Sequence, residues 1–368
     1  MNIAHLYIHI PFCVKKCNYC SFASHVPQSG EIAFYLKHLQ KELLLVKQKH
    51  NLLLDTLYIG GGTPTVISPL LWQDFSDFLF KNLKFNSNAE ITVEANPGTL
   101  RAEHIHIFRD AGVTRISIGV QSFDDSELQM MGRCHTARQA HEAISACLAS
   151  GFCTSGDIIY SLPHQNFYSY ARSLKELVTS GVGHVSLYQL SLEHGTPWQN
   201  LPKNSMTDGY EEYRYAIWYL KKKGIYQYEI SNFAKPHEES RHNMAYWTGK
   251  DYIGLGVSAA SFIMGQRFQN TNNVKPYAKM INDMKLPVAA GEILSRAKSA
   301  REAAVLLLRT TNGIDKKNFI SKFGSKMLNE ISNKLMLLPS GLVVQNDRKI
   351  YMTQKGMRVA NLIWQEII

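Results

Sequence analysis

Six short strand-like runs, at 4–10, 56–59, 90–94, 115–120, 154–160 and 185–190, alternate with helix-patterned segments at 31–48, 69–81, 101–110, 137–149 and 167–180. Strand–helix alternation repeated in series predicts a parallel sheet, because parallel neighbours need a crossover and that crossover is right-handed. Within 31–48, Phe34, Leu36, Leu39, Leu43 and Leu44 keep near-helical spacing. Gly151 and Gly181 stop the last two helices. The unusual residues collect at strand C-termini, where barrel sites lie, so a partial, open (β/α)6 barrel of the α/β class is expected rather than a doubly wound sheet. That barrel is expected over 1–235, an irregular connecting region over 236–294, and a mostly helical, winged-helix-like module over 295–368, with a hairpin turning at Asn346-Asp347. The stretch 238–269, rich in Gly, Asn, His and aromatics, is expected to pack over the barrel mouth.

Directly after the first strand comes His9-Ile10-Pro11-Phe12-Cys13-Val14-Lys15-Lys16-Cys17-Asn18-Tyr19-Cys20. Three thiolates at C-x3-C-x2-C suit one [4Fe–4S] cluster whose fourth iron stays unligated by protein, where four would make a closed electron-transfer site. An open position is what a catalytic metal site keeps. The paired C-x2-C units, or C-x2-C with later histidines, that mark zinc sites are missing. Six cysteines in 368 residues, with strand-like sequence from the outset, read as a reduced cytoplasmic chain without a targeting peptide.

Further candidates stand at successive strand ends. Gly60-Gly61-Gly62-Thr63-Pro64 follows the second strand and lets backbone approach a ligand closely, although in isolation it also reads as a tight βα loop. Glu94 ends the third strand and can accept ribose hydroxyls or sit as a loop carboxylate. Gln121, Arg133 and Asp157 follow, each structural if taken alone; a carboxylate in the apolar run around Asp157 needs a partner. Together they predict a polar ring facing the cysteines. Cys134, Cys147 and Cys153 lack metal spacing and read as buried small hydrophobes. His104 and His106 are expected to face solvent, and His25 stands as a weaker candidate for proton or haem chemistry.

The chain carries a net charge of +10, yet shows no dense Lys/Arg stripe with interleaved aromatics; Lys221-Lys222-Lys223 reads as a helix end favoured by the dipole. Nucleic acid is therefore not an expected partner. No apolar run reaches the roughly 18 residues of a membrane span.

Cysteine spacing plus the glycine loop one strand later resembles the radical S-adenosylmethionine (SAM) superfamily. The resemblance implies that SAM chelates the open iron and that an electron from the cluster can cleave its sulfonium to a 5′-deoxyadenosyl radical. Position by position, the chain is similar to the subgroup of oxygen-independent coproporphyrinogen III oxidases and HemW-type haem chaperones. This implies SAM contacts at Tyr7, Tyr19, Gly61, Gly62, Thr63, Glu94, Gln121, Arg133 and Asp157, with Cys13, Cys17 and Cys20 on the cluster. Ser161 replaces a glycine usual in the family. The oxidase resemblance would require a further cysteine where Phe22 stands, and an N-terminal extension where this sequence starts at its first strand. Arg241-His242-Asn243-Met244-Ala245-Tyr246-Trp247 instead carries the H-N-x-x-Y-W of the chaperone type. That resemblance implies haem as cargo, with His242, Tyr246 and Trp247 as contacts and Arg241 near the propionates. It further implies haem-acceptor proteins, including respiratory, membrane-associated ones, and no oxidase turnover. The oxidase is the alternative.

Overall fold

The computed structural model describes residues 2–368. Six parallel strands form its centre, in the order β1 (Asn2–Ile10), β2 (Asn51–Gly61), β3 (Lys84–Ala95), β4 (Arg115–Gln121), β5 (Cys153–Tyr160) and β6 (His184–Gln189). The crossovers are α1 (Glu31–Lys49), α2 (Pro69–Asn82), α3 (Ala102–Asp110), α4 (Asp125–Met131) with α5 (Ala137–Ala149), and α6 (Phe167–Thr179). Helices begin where a capping side chain is at hand: Ser68 before Pro69, Thr136 boxed with Gln139, and Asn166. Ile3, Leu6, Ile8 and Ile10 of β1 are wholly buried, as in a parallel sheet covered by helices.

The barrel is open between β6 and β1. On the β6 side, α7 (Tyr210–Lys222) leads to β7 (Tyr226–Gln227) and β8 (Asn232–Ala234), with β8 antiparallel to β6. After α8 (Arg241–Trp247), β9 (Ile253–Leu255) adds a parallel strand outside β1. A three-stranded antiparallel sheet follows, made of β10 (Ala260–Ile263), β11 (Gln266–Asn270) and β12 (Val288–Ile293), with α9 (Val274–Asn282) between its last two strands. The C-terminal part comprises α10 (Arg296–Arg309), β13 (Ile314–Asp315), α11 (Lys316–Phe323), α12 (Ser325–Met336), β14 (Val343–Gln345), β15 (Lys349–Met352), α13 (Gln354–Arg358) and α14 (Ala360–Ile367). It packs its own core around Ala304, Ile331, Ile350 and Ile363. Among the described residues no helix is long and apolar enough to cross a membrane.

Several expectations are corrected. Phe34 and Leu44 lie outside the core, which takes Tyr35, His38 and Glu42 of α1 instead. His104 is buried, its ring held by the Ile67 carbonyl (2.8 Å) and the Arg101 N–H (3.1 Å). The connecting stretch does not begin over the mouth; residues 235–242 run beneath the barrel, past the strand N-termini. There the Lys235 N–H donates to the Gly183 carbonyl (2.8 Å), Arg115 donates to the Glu238 carbonyl (2.7 Å), and the N–H groups of Arg241 and His242 donate to Glu90 (3.0 and 2.9 Å). Buried polar groups at the strand starts need partners, and this segment supplies them.

A second buried polar knot fixes β9. The Glu42 carboxylate accepts from the Gly256 N–H (2.7 Å), the Asn270 amide (2.7 Å) and the Tyr277 hydroxyl (2.6 Å). Gly256 has φ +97°, and a Cβ there would meet the Tyr35 hydroxyl at 2.2 Å. Burial pushes the Glu42 carboxyl up to about 7, against the hydrogen bonds that lower it. Its folded pKa is raised, so the unfolded chain releases this proton first, and stability falls as pH rises from about 4.5 to 7. The loss is on the order of 3 kcal/mol. Glu42→Gln is expected to remove this slope, so that the difference in melting temperature between variant and wild type grows in the variant's favour from about pH 4.5 to about pH 7. Parallel curves for the two proteins would refute the assignment.

Candidate functional site

After Ile10 the chain leaves β1 as the cysteine loop, which is pinned at both ends. Cys13 N–H donates to the His25 carbonyl (3.0 Å), while Asn18 donates from its backbone to Met131 (3.0 Å) and from its side chain to Met130 (2.8 Å) of α4. The 190–201 segment closes over it, with Trp198 N–H donating to Asn18 (3.2 Å) and its ring 6.1 Å from Tyr19. His9 ties the loop's return to β1 through the Ala23 carbonyl (2.8 Å). Cys13, Cys17 and Cys20 are partly exposed and line a cavity of about 450 Å³ that descends into the barrel. The Thr63 hydroxyl points at Cys13 Sγ (3.6 Å) and Arg133 Nη1 at Cys17 Sγ (3.6 Å). Among the described residues no three His, Cys, Asp or Glu side chains are close enough to share one metal ion.

The cavity wall comes from side chains alternating along the strands. Inward positions are Tyr58 on β2, Thr92 and Glu94 on β3, Arg115, Ser117, Gly119 and Gln121 on β4, Ser155 and Asp157 on β5, and His184, Ser186 and Tyr188 on β6. Glu94 accepts from the Tyr58 hydroxyl (2.7 Å) and from the Gly61 N–H (3.0 Å), and burial raises its pKa. Burial also pushes Asp157 up to about 7. Gln121 adopts φ +69°, unusual for a residue with a Cβ, at the end of β4. Gln121 Oε1, Arg133 Nε and Asp157 Oδ1 are buried on this cavity without a protein partner. Such atoms carry a desolvation cost that a polar ligand relieves.

Tyr7 does not line the cavity; it holds His9 Nδ1 (2.9 Å) and stacks behind Tyr58, ring centres 6.1 Å apart. Tyr19, Gly61, Gly62, Thr63, Glu94, Gln121, Arg133 and Asp157 all reach it. Cys134, expected in the core, is exposed on the same wall, whereas Cys147 is buried as expected. Tyr58 and Ser186 were not singled out from sequence; they face inward because they lie in register with Thr92 and Asp157 on the neighbouring strands, a pairing between segments distant in the chain.

His242, Tyr246 and Trp247 do not share one surface. His242 is 1% exposed, under the Tyr58 ring (5.2 Å), with Nδ1 at 2.6 Å from Thr56 Oγ1 and Nε2 at 2.8 Å from the Tyr246 hydroxyl. Burial pushes its pKa down to about 3. Both ring nitrogens are committed to the protein, which leaves none for iron in this arrangement. Asn243 and Ser240 form the cavity floor instead. Tyr246 and Trp247 face a second cavity of about 400 Å³, shared with Tyr252, Phe262 and Phe323. Arg309 lies 4.4 Å over the Trp247 ring. Arg241 turns away to the Asn88 carbonyl.

The glycine loop is tightly fitted: Gly62 N–H donates to the Ile10 carbonyl (2.8 Å), and a Cβ at Gly62 would lie 2.5 Å from the Phe12 carbonyl oxygen. Backbone cannot yield as a flexible side chain can. Gly62→Ala is therefore expected to cost about 1–3 kcal/mol, read as a lowered melting temperature; an unchanged value would show that the loop is slack.

Residues 7–177 match the family model described as Radical SAM superfamily, and residues 294–359 that of the HemN C-terminal domain. A heme chaperone HemW of Bacillus subtilis is 33% identical over 368 residues, covering 97% of each chain. That of Lactococcus lactis is 32% identical over 98% of this chain and 96% of its own, and that of Escherichia coli 37% identical over 69% and 68%. The solved structure of coproporphyrinogen III oxidase (HemN) from Escherichia coli superimposes with a TM-score of 0.87, at 23% identity, over 99% of this chain and 90% of that one, and so shares its fold. With full-length similarity above 30%, the chain belongs to the HemW family within the radical SAM superfamily.

Proposed function

We propose that this protein is a haem chaperone that carries a [4Fe–4S] cluster and SAM, binds haem and hands it to an acceptor protein. The observation that carries the reading is the three-cysteine loop seated on one polar cavity, in a chain matched end to end by proteins named heme chaperones. Cys13, Cys17 and Cys20 would hold the cluster. The donor set fits SAM: Glu94 is placed to accept hydroxyls, Asp157 and Gln121 offer unpaired oxygens, Arg133 an unpaired N–H, and the Gly61-Gly62 backbone has no room for side chains. When bound, cluster and SAM supply one-electron chemistry at the sulfonium. The protein's part is to orient, through Thr63 and Arg133, and to exclude water, through Tyr19 and Trp198. In this reading 1–235 bear the cofactors, 236–294 connect, and 295–368 form the C-terminal module.

For haem, the second cavity suits a flat, largely apolar, dianionic macrocycle better than His242 does. Tyr246, Trp247, Tyr252 and Phe323 give it aromatic walls, with Lys250 and Lys322 at its rim for the propionates. His242 then acts as a positioning residue, holding the Tyr246 hydroxyl. The oxidase reading rests on a shared fold, and Phe22, 66% exposed at the cavity mouth, stands where it would require a cysteine.

Two measurements test this. Anaerobic reconstitution should give about four irons per chain, SAM-responsive in its spectrum, and Cys17→Ala should lose this response. A Cys17→Ala protein with a full SAM-responsive cluster contradicts the ligand set. Trp247→Ala and Tyr246→Ala should each weaken haem binding about tenfold, the worth of one aromatic contact near 1.4 kcal/mol, with cluster content unchanged. Unaltered haem affinity in both variants removes haem from this cavity. Catalytic formation of protoporphyrinogen from coproporphyrinogen III with SAM and reductant would replace the chaperone by the oxidase.

A further inference from the structure

Outside the barrel, away from both cavities, the groove between α6 and α7 carries a strip of aromatic rings. Phe167 meets Tyr215 edge-on at 5.3 Å, Tyr215 stacks on Tyr219 at 5.6 Å with planes 7° apart, and Trp218 lies 5.8 Å from Tyr215. Tyr168 extends the strip at 6.2 Å from Phe167. Tyr215 and Tyr219 are half-buried against the core, whereas Tyr168 is 83% and Trp218 52% exposed. A contiguous exposed apolar strip on a folded surface marks an interaction site.

Cations flank it. Lys222 Nζ sits 4.1 Å above the Trp218 ring and Lys223 Nζ 5.8 Å above Tyr219, with Lys221 beside them and Lys175 on α6. No Asp or Glu occurs between residues 213 and 228, nor between 167 and 175. Of the acids flanking these stretches, Glu176 is engaged by His141 and Arg172, Glu211 by Arg214, and Glu212 is buried, accepting from the Thr207 hydroxyl. The strip is therefore locally cationic without compensation.

From these observations we infer that the α6–α7 groove is a docking surface for an anionic phospholipid headgroup layer. Tyrosine and tryptophan are the side chains that settle at a membrane–water boundary, with an apolar body inward and a polar tip at the headgroups. Lysines beside them add attraction to anionic lipid. Single-stranded nucleic acid also uses aromatics and cations, but it needs open ring faces on which bases stack. Here Tyr215 and Tyr219 cover each other, and ammonium groups cover a face of Trp218 and Tyr219, which favours the headgroup layer. The inference is independent of the haem reading.

The test is co-flotation of the full-length protein with vesicles of phosphatidylglycerol and phosphatidylcholine, against phosphatidylcholine alone. Wild type should float with the anionic vesicles only, and less as salt is raised. Lys222→Glu with Lys223→Glu, and separately Tyr168→Ser with Trp218→Ser, should each weaken partitioning on the order of tenfold. Melting temperatures should stay at the wild-type value. Absence of flotation by folded wild type, or wild-type flotation by both variants, overturns the inference. So does tighter binding of a single-stranded oligonucleotide that is lost in the same variants, which would assign the groove to nucleic acid.

Discussion

The Glu90–Arg115 pair at the base of the barrel holds the arrangement that everything above it uses. The two side chains are 7% and 4% exposed and approach to 3.4 Å. A buried ion pair stabilises only when its remaining hydrogen-bonding capacity is met. Here the main chain meets part of it: Glu90 accepts the first N–H groups of α8, and Arg115 Nη2 donates to the carbonyls of Glu238 and Glu239, while Arg115 Nε and Nη1 keep no hydrogen-bond partner. The negative Glu90 also lies at the helix N-terminus, where an anion is favoured. The pair thereby fixes α8 beneath the sheet. His242 follows from that placement, packed under Tyr58, whose hydroxyl holds Glu94, whose other oxygen holds the Gly61 N–H.

At the base, the 235–242 segment pairs Glu90 and one arm of Arg115, while Arg115 Nε, Arg115 Nη1 and His184 Nδ1 keep no hydrogen-bond partner. At the mouth, the wall keeps buried oxygens and N–H groups on Gln121, Asp157 and Arg133 without protein partners. Glu94 and Asp157 have raised pKa values because burial disfavours their charge, and the nearby Glu94 carboxylate adds to the rise of Asp157. A folded protein keeps such groups where a ligand meets them. The cysteine loop, clamped between α4 and Trp198, caps this end.

The H-N-x-x-Y-W segment divides its residues between jobs that a linear motif cannot separate. On one short helix, His242 faces the barrel base, Asn243 the cavity floor, and Tyr246 and Trp247 the outer cavity beside α10 and α11. Arg309 of α10 covers Trp247 while pairing with the buried Glu229 (2.6 Å). The C-terminal module is thus held against the aromatic wall through one guanidinium, whose planar fork serves ring and carboxylate at once.

Much of the framework was legible in the sequence, since strand–helix alternation and period-two polar positions are local patterns. The six strands fall on the six apolar runs, although β2 and β3 begin earlier, at Asn51 and Lys84, than those runs indicate. The cysteine loop is equally local, three thiols within eight residues. What only the tertiary structure decided involves partners far apart in the chain. Glu42 is buried by residues more than 200 positions away. His104 is buried by Ile67, and His242 by Thr56. Lys221 to Lys223 do end α7, as expected, but only the folded chain brings Phe167 of α6 beside the aromatics of α7. The sequence determined which residues point inward, because that is set by backbone period. Which buried polar groups are satisfied, and which are left for a ligand, is set by contacts between distant segments, and only the folded chain brings those together.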